Sequence, residues 1–533
     1  MEQPPLLVKP SRRTVLSAVP GGMLAPLPAL ASPPAQVSHA AVLPRPQVEA
    51  ALPQLQKLAE DTMQRSGIPG MAIAVVYVDE VIYLKGFGVR EAGKPEGVDP
   101  DTVFPLASMS KPIATTVVAA IVGDGVVAWD DPIVRHDPGF QMYDAWVTRQ
   151  VTLRDMFAHR SGLPDHAGDL LEDIGYDRAE ILRRLRYQKP DSSFRSHYGY
   201  TNFGFTEAAM AAAMASGMSW EDLSAARLYK PLGMKHTSSR YADFAASANR
   251  ARGHVRTDGN WVAGYTRDPD AQSPAGGVSA SVRDLAMWLR LQLGGGRFGG
   301  KQIVAAEALA ETHRPQIVRT PPKNPALDHA GFYGLGWNID YDAEGRVHWG
   351  HSGAFDLGAA TCVSLLSAQQ LGIVALTNTQ PIGVPEAVNR SFFDLVLDGK
   401  VERDWLTLYA QLMAAALAPN YGTAVDYAKA PPQPFPALPA AAYIGHYRND
   451  LFGPIEIVAS DQGLWVKLGP QQQPFPMQHF DRDVFTYQPV GENAAGPSAV
   501  TFTIAADQKA AAVTIENFDI DGQGTFSREA AAR

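Results

Sequence analysis

Ser108-Met109-Ser110-Lys111-Pro112-Ile113-Ala114-Thr115-Thr116-Val117-Val118-Ala119-Ala120-Ile121 opens an apolar helix whose first turn carries a hydroxyl and an amine. Residues three apart on a helix are neighbours, so Ser108 is expected within reach of Lys111. Pro112 fits if it lies in the first turn, where a missing N–H costs little. A helix start also supplies N–H donors and partial positive charge to an oxyanion. The S-x-x-K pattern therefore indicates acyl transfer, although it also fits a solvated first turn with a serine cap.

Two further motifs favour the catalytic interpretation. Tyr200-Thr201-Asn202 matches Y-x-N and precedes an Ala/Met-rich run that predicts a core helix beneath the site. His351-Ser352-Gly353 matches H-x-G within residues 347–354, which predict a strand entering a glycine-rich turn. The motifs follow one another in the order S-x-x-K, Y-x-N, H-x-G, and this joint occurrence is far more specific than any one of them.

With these motifs, residues 50–395 resemble the serine hydrolases related to class C β-lactamases. That group includes penicillin-binding DD-peptidases, D-aminopeptidases and one family of carboxylesterases. Shorter segments that agree with the resemblance are 159–164, 231–234, 275–277 and 333–337. The resemblance implies an α+β fold, in which a β-lactamase-like antiparallel sheet is flanked by helices with a mainly helical insert, and the site lies between sheet and insert.

The catalytic roles follow from the chemistry of serine. Its hydroxyl is a poor nucleophile until a base takes the proton, and Lys111 is the nearest candidate for that base. Lysine can act so only if burial or nearby positive charge lowers its pKa; otherwise it stabilises a phenolate. The resemblance implies that Tyr200 passes protons between Ser108 and the leaving group, and it leaves open whether Lys111 or Tyr200 is the principal base. Asn202 is expected to donate to a substrate carbonyl and to accept from Lys111.

The segment His351-Ser352-Gly353-Ala354 is expected to bind the substrate, with the backbone N–H groups of Ala354 and Ser108 forming the oxyanion hole. His351 stands where the β-lactamases usually have Lys. A group with an ordinary pKa of about 6.5 replaces a permanent cation, so a substrate carboxylate would be gripped less firmly at neutral pH. Histidine here resembles D-aminopeptidases, some DD-peptidases and some esterases. As a neutral ring it could orient Tyr200 or a substrate carbonyl.

Composition excludes several other functions. The formal net charge is −9 and there is no basic stripe, which argues against nucleic acid as a partner. His159 and His166 lie in a loop without zinc-type spacing, so we interpret them as loop or packing residues and expect neither a metal nor a cofactor. Cys362 is the only cysteine, hence no intrachain disulfide forms. The expected partner is a small-molecule or short-peptide substrate, and a homo-oligomer stays open.

The amino-terminal residues 1–31 predict a twin-arginine export signal. Arg12-Arg13 precedes an apolar stretch that ends in Ala29-Leu30-Ala31, an A-x-A cleavage pattern. No later segment reaches the roughly twenty apolar residues that span a bilayer. The sequence therefore predicts a periplasmic or secreted protein without an integral membrane segment.

The remaining patterns predict the domain plan. We place a serine hydrolase domain at 46–400. Its predicted elements include a helix over 48–67, a hairpin of strands 71–77 and 81–86, and later strands over 333–339, 346–350, 360–366 and 371–377. Residues 401–440 contain a helical segment and a Pro-rich linker. Residues 441–533 alternate as a small all-β barrel, with strands expected over 443–447, 455–458, 464–468, 484–487, 500–504 and 513–518. Its short motifs resemble the lipocalin-like appendage of some of these hydrolases, including an archaeal self-compartmentising protease. It could stabilise or oligomerise the chain, or a loop of it could limit access to Ser108.

The sequence thus predicts a serine acyl hydrolase that forms an acyl-enzyme on Ser108 and cleaves a D-amino-acid peptide or amide, or a small ester. A β-lactamase or DD-carboxypeptidase is the alternative within the family. A penicillin-binding-like sensor that acylates without turnover is the alternative from another class, because nothing in the sequence guarantees deacylation. No motif distinguishes an ester from an amide donor.

Overall fold

The amino-terminal helix covers one face of the main sheet. The structure, a computed structural model, describes residues 42–530, so the expected export signal at 1–31 lies outside the described residues. The elements up to Ser108 are α1 (Arg45–Ser66), β1 (Gly70–Tyr77), β2 (Glu80–Gly88), β3 (Val103–Pro105) and the 3-10 turn that contains it, Ala107–Met109. Helix α1 buries a stripe at Val48, Ala51, Leu55 and Ala59, the spacing of one helix face.

The middle of the chain is mainly helical, as predicted. Its helices are α2 (Ser110–Gly123), α3 (Ile133–His136), α4 (Ala145–Gln150), α5 (Leu153–Phe157), α6 (Asp169–Asp173), α7 (Arg178–Arg184), α8 (Asn202–Ser216), α9 (Trp220–Ser224), α10 (Lys230–Leu232), α11 (Tyr241–Ala246), α12 (Ser273–Gly276), α13 (Val282–Leu293) and α14 (Ala306–Thr312). Between them lie the short strands β4 (His254–Thr257), β5 (Asn260–Ala263), β6 (Ser279–Ser281), β7 (Arg297–Phe298) and β8 (Lys301–Gln302), the 3-10 turns Leu185–Tyr187 and Asp270–Gln272, and a π-helical turn, Ala225–Tyr229. Helix α8 is buried almost all round, because its Ala residues let neighbouring helices approach closely.

The sheet returns in β9 (Ile317–Thr320), β10 (Gly331–Tyr333), β11 (Asn338–Tyr341), β12 (Val347–Phe355), β13 (Ala359–Leu366) and β14 (Leu371–Thr377), followed by α15 (Val384–Asp398) and α16 (Trp405–Ala416). Within the described residues, eight strands pair antiparallel in the order β2-β1-β14-β13-β12-β11-β10-β9. The predicted sheet made from both ends of the hydrolase region is therefore confirmed. Register pairs such as Val75 with Ile373 join the two ends.

Two sequence predictions for the sheet were wrong in detail. The single strand expected over 333–339 is two strands, because the chain between them dips towards α2 through Gly336, which has φ of 75° and where a Cβ would lie 2.9 Å from the Lys111 carbonyl oxygen. The glycine-rich turn expected at His351-Ser352-Gly353 is instead a continuation of β12 to Phe355. Gly353 is required there for close packing, since a Cβ would collide with the Leu106 carbonyl oxygen.

The sheet divides the core into two layers. Alternate residues of β1 face opposite sides: Ile73 and Val75 pack with α1 and α15, whereas Ala74 and Val76 join the larger cluster with α2, α8 and α13. The small residues on the second face leave room for α2. That helix, which follows Ser108, is thereby fixed directly beneath the sheet.

The carboxyl-terminal strands form the predicted all-β barrel. They are β15 (Gly445–Asn449), β16 (Gly453–Ser460), β17 (Gly463–Leu468), β18 (Gln473–Pro476), β19 (Gln478–Asp481), β20 (Val484–Tyr487), β21 (Ser498–Ile504), β22 (Ala510–Ile515) and β23 (Thr525–Arg528), with 3-10 turns at Ala440–Ala442 and Glu516–Phe518. They pair antiparallel in the order β18-β17-β16-β15-β23-β22-β21-β20-β19, a nearly closed arrangement. The sequence missed β18, β19 and β23, which are four residues each and rich in proline or polar residues.

The barrel packs tightly on the helical insert. Phe452 and Phe518 belong to the same apolar cluster as Leu171 of α6. Tyr176 donates from its hydroxyl to the Phe452 carbonyl oxygen at 3.1 Å, and Arg184 donates to that of Leu451 at 2.8 Å. Across the described part of the chain, no helix has the length and apolar character needed to span a bilayer.

Candidate active site

Ser108 lies in the tight turn that connects β3 to α2. The preceding residue, Ala107, is buried and has φ of 48°, in the left-handed region that a side chain disfavours. Helix α2 begins two residues later at Ser110, so Pro112 falls in its first turn as expected. The Ser108 side chain remains partly exposed. This local geometry presents the Ser108 hydroxyl where the helical insert meets the sheet.

Lys111 is fully buried and its amine points at Ser108. Its Nζ lies 3.1 Å from Ser108 Oγ, 2.6 Å from Asn202 Oδ1 and 3.1 Å from the Ala275 carbonyl oxygen. Burial lowers the pKa of Lys111 to about 7, and the negative charge of Asp169 opposes this shift. A lysine that is partly neutral near pH 7 can serve as a base for Ser108.

Tyr200 is held on the other side of the nucleophile, just before α8. Its hydroxyl donates to Ser108 Oγ at 2.7 Å, and Lys111 Nζ lies 4.5 Å from its ring centre. The buried ring of His159 packs 4.6 Å from the Tyr200 ring, and His159 Nδ1 accepts from the Thr201 N–H. Burial raises the pKa of Tyr200, so its phenol is a proton donor rather than a standing phenolate.

Asn202 occupies the first position of α8, where Thr201 caps the helix. Its Oδ1 accepts from Lys111 as the sequence predicted, but its Nδ2 donates at 2.8 Å to Asp169, which the sequence did not single out. One amide hydrogen is therefore committed to the protein rather than to substrate.

Strand β12 forms the opposite wall of the site. Its residues 347–350 pair with β11, whereas residues 351–355 pair only with β13 and leave one edge open beside the nucleophile turn. The close approach of Gly353 to Leu106 and Met109 brings Ala354 beside the turn that holds Ser108. Ser352 alternates to the other face of the sheet, where its hydroxyl lies against Glu386, so only its backbone borders the site.

His351 has both ring nitrogens engaged by protein groups. Nδ1 lies 2.6 Å from the Ser352 carbonyl oxygen, which can only accept, so Nδ1 carries the proton. Nε2 then accepts from the Tyr333 hydroxyl at 2.9 Å. Burial, followed by the charge of Lys111, lowers the pKa of His351 to about 3. The residue is a neutral imidazole whose partner is Tyr333 rather than Tyr200.

Comparisons with known proteins show the family to which the chain belongs. The family model described as "Beta-lactamase" matches residues 55–395, well over half of the chain and including S-x-x-K, Y-x-N and H-x-G. The chain belongs to the β-lactamase family. A second model, "Domain of unknown function (DUF3471)", matches residues 429–528 and so coincides with the barrel.

Curated relatives of this β-lactamase-family protein carry several names. "Unguisins hydrolase ungD" of Aspergillus violaceofuscus is 27% identical over 73% of this chain and 74% of its own length. "Penicillin-binding protein 4" of Amycolatopsis lactamdurans is 28% identical over 54% and 75% respectively. "Protein flp" of Staphylococcus aureus strain MW2 is 23% identical over 63% and 64%. The family is thus one of serine hydrolases and penicillin-binding proteins.

A solved structure shares the fold over nearly the whole chain. The octameric penicillin-binding protein homologue from Pyrococcus abyssi covers 89% of this chain and 99% of its own, with a TM-score of 0.57 and 18% identity. Its extent includes both the β-lactamase-like region and the barrel, so the two-part architecture is not peculiar to this sequence.

Sequence reasoning missed four contributors to this β-lactamase-family site. Asp169 binds Asn202, His166 binds Asp169 at 2.8 Å, Ala275 supplies a carbonyl to Lys111, and Tyr333 holds His351. Ala275 and Tyr333 lie in the segments 275–277 and 333–337, which agree with the family resemblance but whose sequence does not indicate these contacts. His166 and Asp169 are three residues apart, and only that spacing could have indicated their pairing.

The barrel contributes a wall next to this site. Glu492 Oε1 accepts from the backbone N–H of Asp356, two residues beyond Ala354, and Asn493 donates to Asp173 at 2.8 Å. A cavity of about 350 Å³ lies between barrel and insert, lined among others by Asp169 and Glu492. Among residues 42–530, no group of three or more His, Cys, Asp or Glu side chains is arranged to hold a metal ion.

Proposed function

We propose that this protein is a serine acyl hydrolase that forms an acyl-enzyme on Ser108 and cleaves a D-amino-acid peptide or amide, or a small ester. The observation that carries the proposal is the placement of Ser108 Oγ 3.1 Å from Lys111 Nζ and 2.7 Å from Tyr200 Oη. A nucleophile, a base and an acid therefore meet at one atom.

The hydrogen-bond capacities assign the protons. A neutral lysine amine has two hydrogens and one lone pair. The hydrogens satisfy Asn202 Oδ1 and the Ala275 carbonyl, and the lone pair faces the Ser108 hydroxyl. As Oγ attacks the acyl carbon, its proton passes to Lys111. Tyr200 gives its phenolic proton to the leaving group and regains one from Lys111.

Deacylation uses the same groups in reverse. Water gives a proton to the Lys111 and Tyr200 pair as its oxygen attacks the acyl carbon, and Ser108 Oγ leaves with a proton from that pair. The backbone N–H groups of Ser108 and Ala354 would stabilise the oxyanion in both steps, since the open edge of β12 lies beside the nucleophile turn.

The environment of His351 supports this choice of substrate class. With a pKa of about 3 it offers no positive charge to a carboxylate, and both its nitrogens are occupied by Tyr333 and by the Ser352 carbonyl. Neutral esters and amides are therefore favoured over carboxylate-bearing β-lactams. Two relatives named as unguisins hydrolases support turnover, whereas a relative named as a penicillin-binding protein supports the alternative of acylation without release.

The test compares p-nitrophenyl butyrate, D-alanine p-nitroanilide and nitrocefin as substrates, with a fluorophosphonate probe to report acylation of Ser108. Wild type should be labelled and should turn over the ester or the anilide with kcat/KM above that for nitrocefin. Ser108→Ala should lose both labelling and turnover. Ser110→Ala is the matched control: within residues 42–530 the one hydrogen bond of the Ser110 hydroxyl is accepted from the Val278 N–H, so activity should persist.

Each alternative has its own signature in this experiment. Labelling without turnover would identify a stalled acyl-enzyme sensor. Dominant nitrocefin hydrolysis would identify a β-lactamase. A wild-type protein that is neither labelled nor active, while folded, would overturn the proposal.

A further inference from the structure

The orientation of the Asn202 amide is fixed by a carboxylate. Nδ2 donates at 2.8 Å to Asp169 Oδ2, and Oδ1 accepts at 2.6 Å from Lys111 Nζ. An ionised carboxylate can only accept, so turning the amide over would lose both hydrogen bonds. Asp169 therefore decides which end of Asn202 meets the lysine.

The same carboxylate oxygen meets a histidine at the surface. His166 Nδ1 lies 2.8 Å from Asp169 Oδ2, and the His166 side chain is 59% exposed while that of Asp169 is 7% exposed. The His166 ring lines the cavity between insert and barrel, where desolvation by the surrounding protein lowers its pKa, but its hydrogen bond to Asp169 and the charge of that carboxylate outweigh this and raise the pKa above its ordinary value. The chain His166, Asp169, Asn202, Lys111 leads from solvent to the nucleophile.

The surrounding loop ties this chain to Tyr200 as well. The backbone N–H of His166 donates to the Tyr200 carbonyl oxygen at 2.7 Å, and the Tyr200 N–H donates to Asp165 at 2.5 Å. A change at His166 thus lies next to both partners of Ser108.

We propose that Asp169 and His166 are positioning residues that hold Asn202 in its productive orientation and set the charge state of Lys111, with His166 reporting solvent pH to the site. The inference rests on the proposed function of Ser108 and Lys111. Neither residue touches the reacting atoms, so neither is catalytic in its own right.

Few other groups near this chain can change charge at neutral pH. His351 stays neutral, and burial lowers the pKa of His159, so neither imidazole gains a proton there. Asp165 also faces His166. One turn along α6 from Asp169, burial raises the pKa of Glu172 to about 7 despite its ion pair with Arg267 at 2.5 Å. Across the cavity, burial raises the pKa of Glu492 of the barrel to about 8. Glu172→Gln and Glu492→Gln are therefore both needed as controls.

The proposal predicts shifts of opposite sign. Asp169→Asn keeps the acceptor for Asn202 but removes the negative charge, so Lys111 loses its proton more readily and the acid limb of the rate profile moves to lower pH. His166→Gln keeps a donor for Asp169 but removes the positive charge, so the limb moves to higher pH. Each shift should be about half to one pH unit, as expected for a charge several ångströms away near the surface. A purely structural role would lower rates without opposite shifts.

The experiment measures the second-order rate of Ser108 labelling by the fluorophosphonate probe between pH 5 and 9, for the full chain and each variant. In the Asp169→Asn background, His166→Gln should have almost no further effect, because the histidine has lost its partner. Glu172→Gln and Glu492→Gln should each move the acid limb less than Asp169→Asn or His166→Gln does. His197→Gln, which replaces an exposed histidine bonded to Ser196, should leave the limb unmoved. Coincident limbs, or shifts of the same sign, would overturn the inference.

A second measurement does not depend on activity. Carbon-13 NMR of ε1-labelled histidine gives the titration of His166 directly. Because coupling is reciprocal, Lys111→Met should raise the pKa of His166 and Asp169→Asn should lower it. An unchanged His166 titration in both variants refutes the coupling, whereas absence of labelling in wild type refutes the proposed function alone.

Discussion

Lys111→Met should change the pH dependence of stability in a way that only a buried, easily deprotonated lysine can produce. Burial lowers the pKa of Lys111 from 10.5 to about 7. Between these values the unfolded chain binds a proton that the folded chain does not, so this group makes the free energy of unfolding rise with pH. Below pH 7 both states are protonated, and the folded state carries the full penalty of about 5 kcal/mol, because lowering a pKa by one costs ~1.4 kcal/mol.

The pH-dependent contribution of Lys111 can be isolated by subtracting the unfolding free energy of the variant from that of wild type. Lys111→Met leaves Asn202 Oδ1 and the Ala275 carbonyl without a donor, but that loss does not depend on pH. We expect the difference in unfolding free energy, wild type minus variant, to increase by about 2 kcal/mol between pH 7 and pH 9. Urea unfolding followed by tryptophan fluorescence at pH 6, 7, 8 and 9 measures this. Lys57→Met, which removes an exposed lysine, should give a flat difference.

The same titration should govern the reaction. The base form of Lys111 appears as pH rises through about 7, so kcat/KM of wild type should rise over that range. A flat stability difference between pH 7 and 9 would show that Lys111 stays protonated in the folded protein. The base would then have to be Tyr200, and the proton assignment given above would be wrong.

Substitutions at Tyr200, Gly353 and His351 give three further tests of the site. Tyr200→Phe should lower kcat by about 10²–10⁴-fold, because it removes the acid. The double variant with Lys111→Ala should be little slower than Tyr200→Phe alone, since the effects of groups in one proton relay are not additive. Gly353→Ala should lower the free energy of unfolding by about 1–3 kcal/mol in urea, because the added methyl group collides with the Leu106 carbonyl oxygen. It should also lower turnover by shifting Ala354. An unchanged free energy of unfolding would refute the close packing at Gly353. His351→Lys should raise kcat/KM for nitrocefin relative to that for p-nitrophenyl butyrate by about tenfold or more, the effect of one hydrogen bond to a charged group. His351→Gln is the uncharged control. An unchanged ratio in His351→Lys would show that residue 351 does not control selectivity.

The fold of the hydrolase region could be predicted because its patterns are local. Apolar runs over 71–77 and 371–377 mark strands buried on both faces, and the apolar run after Lys111 marks a core helix, whatever lies around them. The predictions were wrong where a contact between residues far apart in the sequence decides the backbone conformation. Gly336 breaks a strand because it meets Lys111, and Gly353 continues one because it meets Leu106. Short barrel strands such as Gln473–Pro476 carry no pattern of their own and form by pairing with β17.

The sequence by itself determined which residues make up the candidate site: Ser108, Lys111, Tyr200, Asn202 and the segment 351–354 are singled out by residue type and spacing. Only the tertiary structure decided how those groups are charged and oriented. The low pKa of Lys111 comes from burial, the orientation of Asn202 from Asp169 of another helix, and the neutrality of His351 from its enclosure beside Tyr333. Spacing along a chain records which groups are neighbours on one element, whereas desolvation and hydrogen-bond direction depend on elements that meet only after folding.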